Sequence, residues 1–401
     1  MQQFDSAAIF LHLLENHDMP SVLTNAQEVF YKQHHQLSRK LSKEEKKLIK
    51  LGESLYDYSI TPIKGSFPVS YLSFLSFISH EMCIPDFFWL GHEHNIAKTT
   101  LRQRSASFNL DSLYGADQNA KAYLYDRNNS TKFALKKEQP FLAEPANEYP
   151  SQLLHFTHSL MSFHNQVVDF LSTHRINDEK IFSMAQCWVR WHFQWLIVND
   201  LLPKLVNKNI LQQTLDNGNR FFKRTPFAIP TAFGLAAFCI SGCMTPFSHL
   251  AFEIFDDYQH RIASPISTNL TANGKSYAEQ ILLFGKKMDL MSGQQMARRM
   301  GVRVLLEEEL IANTKLDTQK ILEADDGQFL YKTPLWFYIL KEAEVIEKGE
   351  RLGPLGSIIV AETIVGNLLH NTPESCLHFP DWRPFLGSNL DKFNLNDLLN
   401  I

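Results

Sequence analysis

The sequence lacks any run of 18 consecutive apolar residues, so it predicts no membrane-spanning helix. It also lacks an excess of positive charge: the formal net charge is −4 in a chain with 20% charged residues, which argues against a nucleic-acid partner. The first residues have no basic segment of the kind that opens a signal peptide, and acidic residues surround their short apolar run. We therefore expect a cytoplasmic protein.

Cysteine is scarce, and its spacing excludes the common zinc motifs. The five cysteines form no CxxC pair, and their number is odd, so free thiols in a reducing compartment are the simplest interpretation. Internal repeats of about 20 to 50 residues and low-complexity tracts are absent as well. A repeat protein and a chain with long flexible linkers are thus not expected.

Alternating strand patterns are rare, whereas helical periodicity dominates, so we predict a mainly α fold. Residues 152–174 place apolar side chains on one helical face, and residues 179–206 continue this pattern up to Pro203. Residues 353–370 begin with Gly and Pro and are then almost wholly apolar, which predicts a central, buried helix. Residues 41–50 are highly charged and predict a solvated helix surface.

The composition favours a large core. Hydrophobic residues make up 44% of the 401 residues, and the 30 Phe, 12 Tyr and 6 Trp residues predict bulky packing, with an apolar ligand pocket as the alternative interpretation. No clear domain boundary interrupts the chain. We predict a helical N-terminal extension in residues 1–70 that packs on one large helical domain in residues 71–401.

Six short strings then identify a family. They are FNLDSLYG (108–115), SFHNQVVDFL (162–171), WVRWHFQWLIVNDLLPKLV (188–206), MSGQQMARRMG (291–301), TPLWFYILKEAE (333–344) and RLGPLGSIIVAE (351–362). In this order and spacing the chain resembles the bacterial branch of the animal-type haem peroxidases, over roughly residues 70–400. The resemblance implies a single, mainly α domain in which haem lies between a distal and a proximal helix.

The distal helix of this family carries a Gln followed by Asp-His-Asp, and the matching segment here is SFISHEM, residues 76–82. His80 falls on the distal histidine and Glu81 on the acid after it. Ser76 replaces the Gln, and Ser79 replaces the Asp that can bond covalently to haem. The resemblance implies that His80 is the acid–base residue, with Glu81 orienting it or binding calcium; an ordinary core histidine is the alternative.

At two further positions that the family uses for haem, the matching residues lack the side-chain groups that this chemistry needs. The catalytic Arg of the family is matched by Ala146 in EPAN, residues 144–147. The proximal helix is matched by PTAFGLAAFCISGCM, residues 230–244, in which Gly242 occupies the position of the iron ligand. Glycine cannot ligate iron. Cys239 and Cys243 lie at other positions of the aligned segment, and His249 follows it, seven residues after Gly242 and about 10 Å along an ideal helix axis. We expect no haem cofactor and no active haem peroxidase.

The resemblance also implies a calcium ion beside the distal helix. Calcium binds hard oxygen ligands, and the matching positions all offer one: Glu81, Ser105, Ser107 by its carbonyl, Asn109 and Asp111. Asn109 stands where the family has an Asp, which lowers the negative charge. A loop closed by hydrogen bonds alone is the alternative.

Three functions follow from this pattern. The first is a haem-free enzyme that binds a hydrophobic small molecule in a biosynthetic pathway and transforms it by acid–base chemistry, such as cyclisation, condensation or isomerisation, with His80 as the acid–base residue. The second is an inactive pseudoperoxidase that serves as a binding or scaffold protein. The third is a haem-dependent oxidoreductase with an atypical iron ligand. A homo-oligomer or hetero-oligomer is compatible with each of them.

Overall fold

The computed structural model describes residues 41–55, 70–82, 107–115, 119–135, 141–144, 147, 151–174, 176–221, 233, 277–370, 372, 374–388 and 391–401. These residues are mainly helical, as predicted, and the bridge between Tyr125 and Phe133 is the one β pairing among them. The α-helices are α1 (Lys43–Ser54), α2 (Ser70–Glu81), α3 (Asp111–Tyr114), α4 (Ser151–Thr173), α5 (Asp178–Trp195), α6 (Leu202–Leu205), α7 (Lys208–Asn217), α8 (Tyr277–Lys287), α9 (Gly293–Met300), α10 (Glu307–Ile311), α11 (Leu316–Tyr331), α12 (Leu335–Glu347), α13 (Pro354–His370) and α14 (Leu395–Leu399).

Shorter helical turns complete this list. A π-helix, Leu196–Leu201, joins α5 to α6, and 3₁₀ turns lie at Asn119–Leu124 and Cys376–His378. None of the described helices combines the length and hydrophobicity that crossing a bilayer requires.

The chain forms two compact units, each assembled from separate segments. Among the described residues, the first unit contains α1, α7 to α12 and residues 354–366 of α13. The second contains α2 to α5, the π-helix and the described residues from 367 onward. The extension and domain predicted with a boundary at residue 70 stay a prediction.

In the first unit, α1 lies closely against α8. Ser42 and Glu45 cap the start of α1 through a reciprocal pair of hydrogen bonds, which satisfies two backbone N–H groups. Gly52 allows the contact, because a Cβ atom there would lie 2.6 Å from Cγ of Glu279. The charged segment predicted as a solvated surface therefore also has an apolar side, with Leu48 and Leu51 buried.

The start of α13 is closed by a buried carboxylate. Glu342 of α12 is fully buried and accepts hydrogen bonds from Leu355 N at 2.9 and 3.0 Å and from Gly356 N at 3.2 Å. These are N–H groups of the first helical turn, which have no partner within the helix. A Cβ atom at Gly353 would lie 2.4 Å from Cγ of Glu342, so the glycine makes room for the carboxylate. Burial raises the pKa of Glu342 to about 7, an effect that the two N–H donors partly offset.

The start of α9 and the loop before α12 are joined in the same unit. Gln294 donates to Leu330 O and Thr333 Oγ1, both at 2.7 Å, and accepts from Thr333 N at 3.0 Å. Gly293 donates to Thr333 O at 2.9 Å and lies against Tyr338, where a Cβ atom would come within 1.9 Å of the ring. Two of the strings that carry the resemblance thus pack directly on each other.

The second unit is built around phenylalanines. Phe74 and Phe77 of α2 contact Phe156 of α4 and Phe193 of α5, with ring centroids between 5.2 and 5.7 Å apart. All four rings are buried. The bulky core predicted from the aromatic content is present here, and the aromatic contacts hold α2 against α4 and α5.

The long helix predicted for residues 179–206 is not uniform, because its middle is the π-helix. This turn includes Asp200, which is buried and accepts hydrogen bonds from the Tyr71 hydroxyl and from Leu395 N, each at 2.8 Å. Asp200 thereby connects the start of α2 to the start of α14. The extra residue per turn of a π-helix is a local feature that apolar periodicity does not indicate.

Replacement of Gly293 by Ala should destabilise the protein by about 1–3 kcal/mol, because the added methyl group forces the Tyr338 ring to move within a packed core. Gly285→Ala is the matched control, since a Cβ atom there meets only Leu290 at the ordinary distance of 3.6 Å. Urea unfolding of the two variants gives the comparison. Equal stabilities would contradict the close contact between Gly293 and Tyr338.

Candidate functional site

The segment that matches the distal helix is helical, as the resemblance implied. Ser76 and Ser79 lie on α2 and are buried. The Ser79 hydroxyl donates to the backbone carbonyls of Leu75 and Ser76, at 3.2 and 2.8 Å. Its hydrogen is therefore bonded within its own helix. The backbone of His80 lies on α2, and its side chain is outside the described part of the chain.

Glu81, at the end of α2, fixes the loop that follows. Its carboxylate is 2% exposed, and its Oε1 atom accepts a hydrogen bond from Ser112 N at 2.8 Å. Ser112 belongs to the short helix α3, which has no side-chain cap of its own because the residue before it, Leu110, has no acceptor in its side chain. Glu81 therefore supplies the acceptor that this helix start needs.

Three further side chains hold the same loop. Gln194 of α5 donates to Phe108 O at 3.0 Å, and Thr372 Oγ1 accepts from Phe108 N at 3.2 Å. Arg190, one turn earlier on α5, donates from Nε to Asn109 O at 2.7 Å. The loop is consequently closed by direct hydrogen bonds from several sides.

Four of the five residues predicted for calcium lie in this region. Ser107, Asn109 and Asp111 follow one another along the loop, and Glu81 bonds to Ser112 beside them. The Asn109 amide donates to Ser107 Oγ at 2.9 Å, so these two side chains bond to each other. Ser105 lies outside the described residues, among which no cluster of three or more His, Cys, Asp or Glu side chains is suited to a metal. Calcium stays a prediction.

The remaining haem positions, Ala146 and Gly242, also lie outside the residues that the structure describes. Their neighbours Glu144 and Asn147 are described and are fully buried. The structure therefore places Ser76, Ser79 and Glu81 in the candidate site and gives no position for the other two.

A buried histidine that the sequence analysis did not single out lies in the same unit. His164 of α4 contacts the Tyr114 hydroxyl through Nδ1 at 3.0 Å and Thr131 O through Nε2 at 2.9 Å. Burial lowers the pKa of His164 to about 4 and raises that of Tyr114 well above its ordinary value. The next residue, Asn165, bonds to both backbone groups of Phe133. The dipeptide His164–Asn165 thus organises the loop around Phe133.

A second buried histidine, His192, is enclosed by aromatic rings. The centroids of Phe163, Trp382, Phe385 and Phe393 lie 5.0 to 5.1 Å from its imidazole, each nearly perpendicular to it. Nδ1 bonds to Trp188 O at 2.7 Å, and Nε2 has no hydrogen-bond partner among the described residues. Burial lowers the pKa of His192 to about 4, so the neutral ring is the stable form at neutral pH.

Comparison with known proteins adds one finding on the fold. No protein-family model matches the chain, and no curated protein sequence does. The structure is similar to that of peroxidase A from Dictyostelium discoideum, with a TM-score of 0.47 and 12% identity, over 70% of this chain and 67% of the other. This likeness concerns the fold alone.

Substitution of His192 by Phe should make the protein less sensitive to acid. The folded protein holds this histidine neutral down to about pH 4, whereas the unfolded chain protonates it from about pH 6.5, so the wild type loses stability as the pH falls between these values. Each pH unit in that window is worth about 1.4 kcal/mol, so the difference reaches about 3 kcal/mol near pH 4.

Urea unfolding of the wild type and His192→Phe between pH 4 and 7 measures this effect. His155→Gln is the control, because His155 is exposed on α4. We expect the free energy of unfolding of His192→Phe to rise relative to the wild type as the pH falls, and that of the control to follow the wild type. Parallel curves for His192→Phe and the wild type would show that His192 is not buried in the neutral form.

Arg190→Met should destabilise the second unit, since it keeps most of the aliphatic stem and removes the donor to the Asn109 carbonyl. A hydrogen bond from a charged donor contributes about 1.5–3 kcal/mol, which is the expected loss in urea unfolding. Arg127→Met serves as the control, because Arg127 is exposed. The same loss in both variants would mean that Arg190 does not hold the loop.

Proposed function

We propose that this chain is a haem-free, non-peroxidase member of the haem peroxidase fold that binds a hydrophobic small molecule and transforms it by acid–base chemistry. The observation that carries the proposal is the set of side chains at the haem positions. Gly242 offers no ligand to iron, Ala146 offers no charge or donor to a peroxide, and Ser76 is too short to replace a glutamine. These residues do not fit the haem of a peroxidase, and no step of the proposed chemistry passes through it.

The bonding of Ser79 supports the same interpretation. In the family this position carries an acid that can form a covalent bond to haem. Here the side chain is a buried hydroxyl that bonds to Leu75 O and Ser76 O within its own helix. A hydroxyl used in this way serves the helix and does not present a carboxylate to a cofactor.

His80 is the proposed acid–base residue, because it keeps the position at which the family transfers a proton. Its neighbour Glu81 has a separate task, since its carboxylate accepts from Ser112 N and holds the loop before α3. Glu81 is therefore a positioning residue in this proposal. The substitutions Ser76, Ala146 and Gly242 replace large groups by small ones, which favours a hydrophobic substrate in the space that those groups leave.

A genetic complementation experiment tests the proposed reaction. In the source organism, deletion of the gene should remove a small hydrophobic product, and the wild-type gene should restore it. His80→Ala should fail to restore the product, whereas His155→Ala, which changes an exposed histidine, should succeed. Both variants should be present at the same level and melt at the same temperature, so that a loss of folding is excluded.

Full restoration of the product by His80→Ala would contradict acid–base catalysis by His80. If the deletion removes the product and His80→Ala restores it, the chain would instead act as a binding or scaffold protein. An unchanged product profile in the deletion strain would overturn the enzyme proposal as a whole.

Calcium is part of the proposal only as a stabilising ion at the loop of residues 107–111. The melting temperature in calcium and in EGTA measures its contribution, because an ion that binds only the folded state raises the melting temperature. Asn109→Asp is the informative variant, since it restores the charge that the family has at this position. A higher melting temperature in calcium than in EGTA would confirm that the ion binds. No difference in either the wild type or Asn109→Asp would mean that hydrogen bonds alone close the loop.

A further inference from the structure

Helix α2 has two faces of different character. On one face, Phe74 and Phe77 pack against α4 and α5. With about 3.6 residues per turn, positions 76 and 80 share another face, one turn apart. Phe74, Phe77 and Ser79 are 0% exposed, whereas Ser76, between them, keeps 6% of its surface exposed. The helix is therefore sealed on its phenylalanine side and reaches accessible space at Ser76.

The hydroxyl of Ser76 forms no hydrogen bond with any residue that the structure describes. Several other buried hydroxyls in helices donate to the carbonyl four residues earlier, as those of Ser79, Thr157, Thr214 and Thr363 do. Buried polar side chains nearly always have such a partner. An unbonded, buried hydroxyl beside accessible space therefore indicates a ligand that bonds to it.

The sequence of α2 favours an uncharged group at this hydroxyl. Residues 70–82 contain no Lys or Arg, and their one carboxylate, Glu81, accepts from Ser112 N. A charged group would lose its hydration at Ser76 without gaining an opposite charge on this helix. A hydroxyl donates one hydrogen bond, and a carbonyl oxygen is the simplest uncharged acceptor that a mainly apolar molecule can offer.

We propose that the substrate of the acid–base reaction is a hydrophobic ketone whose carbonyl oxygen accepts a hydrogen bond from Ser76. This inference rests on the proposed function, in which His80 transfers the proton. Positions 76 and 80 are about 6 Å apart along the helix axis. That separation suits a carbonyl oxygen near Ser76 and the adjacent carbon nearer to position 80.

The reaction step follows from these two residues. His80 takes a proton from the carbon next to the carbonyl, the electron pair of that C–H bond forms a C=C bond, and the C=O π electrons move to the oxygen. The enolate oxygen accepts from the Ser76 hydroxyl, which stabilises a charge that the ketone itself lacks. His80 then returns the proton to the same carbon or to another one, so the step needs no oxidant and no reductant.

Exchange of the α-protons of β-tetralone for deuterium, followed by proton NMR on the full chain in heavy water, measures this step. We expect the wild type to accelerate the exchange and Ser76→Ala to lose about 100-fold of that acceleration, the effect of removing one oxyanion donor. Ser76→Thr keeps the hydroxyl and should retain most of the activity. Ser183→Ala changes an exposed serine of α5 and should match the wild type. Thermal melting establishes that each variant is folded.

Binding of β-naphthol and naphthalene, measured by fluorescence titration, tests the hydrogen bond without turnover. β-Naphthol resembles the enol of β-tetralone, and naphthalene lacks its oxygen. We expect the wild type to bind β-naphthol about tenfold more tightly than naphthalene, and Ser76→Ala to lose this preference. His80→Ala keeps the Ser76 hydroxyl, so it should keep the preference although it no longer catalyses exchange.

Absence of accelerated exchange with the wild type would overturn the proposal. If Ser76→Ala matches the wild type in exchange and in binding while His80→Ala is inactive, the contact with Ser76 is wrong and the acid–base function stands. If Ser76→Ala loses both properties while His80→Ala stays active, Ser76 is the donor and His80 is not the acid–base residue. The two proposals are thus separated by the same set of variants.

Discussion

The buried carboxylate of Glu342 at the start of α13 determines how the first unit is assembled. A helix as apolar as α13 can lie in a core only if the N–H groups of its first turn find acceptors there. Glu342 provides them, and Gly353 leaves the space that the carboxylate occupies. Burial raises the pKa of Glu342, and its carboxylate accepts hydrogen bonds from the N–H groups of Leu355 and Gly356 at the helix start. The second unit uses the same solution at a smaller scale, where Glu81 bonds to the start of α3.

The strings that carry the resemblance contain residues that make close or buried contacts: Gly293 and Gln294, Glu342, Gly353, Asn165 and Gln194. Each of them forms a buried hydrogen bond or a close backbone approach in this structure. The resemblance matches Ser76, Ala146 and Gly242 to positions that the family uses for haem chemistry. In the proposed function, the residues that build the fold are kept and those that would serve the cofactor are replaced.

Much of the fold followed from the sequence. The helices predicted at residues 152–174 and 353–370 correspond to Ser151–Thr173 and Pro354–His370, because apolar periodicity is a strong signal in long buried helices. The π-helix at Leu196–Leu201 was not predicted, and its residue Asp200 has partners 129 and 195 residues away in the chain. Contacts at such separations leave no local pattern.

The candidate site was predicted less completely. The family motif indicated Glu81, but only the structure revealed that its partner is Ser112, and that Arg190 and Gln194 hold the same loop. The buried histidines His164 and His192 were inconspicuous in the sequence, since their environment arises from rings that are distant along the chain.

We propose that the fold of this chain holds no haem. The most direct test is the visible spectrum of the protein purified from cells grown with ample haem precursor and iron, combined with a pyridine haemochromogen assay of haem per chain. We expect no Soret band and a haem content far below one per chain. A strong Soret band with close to one haem per chain, and a spectrum typical of iron ligated by a protein side chain, would contradict it.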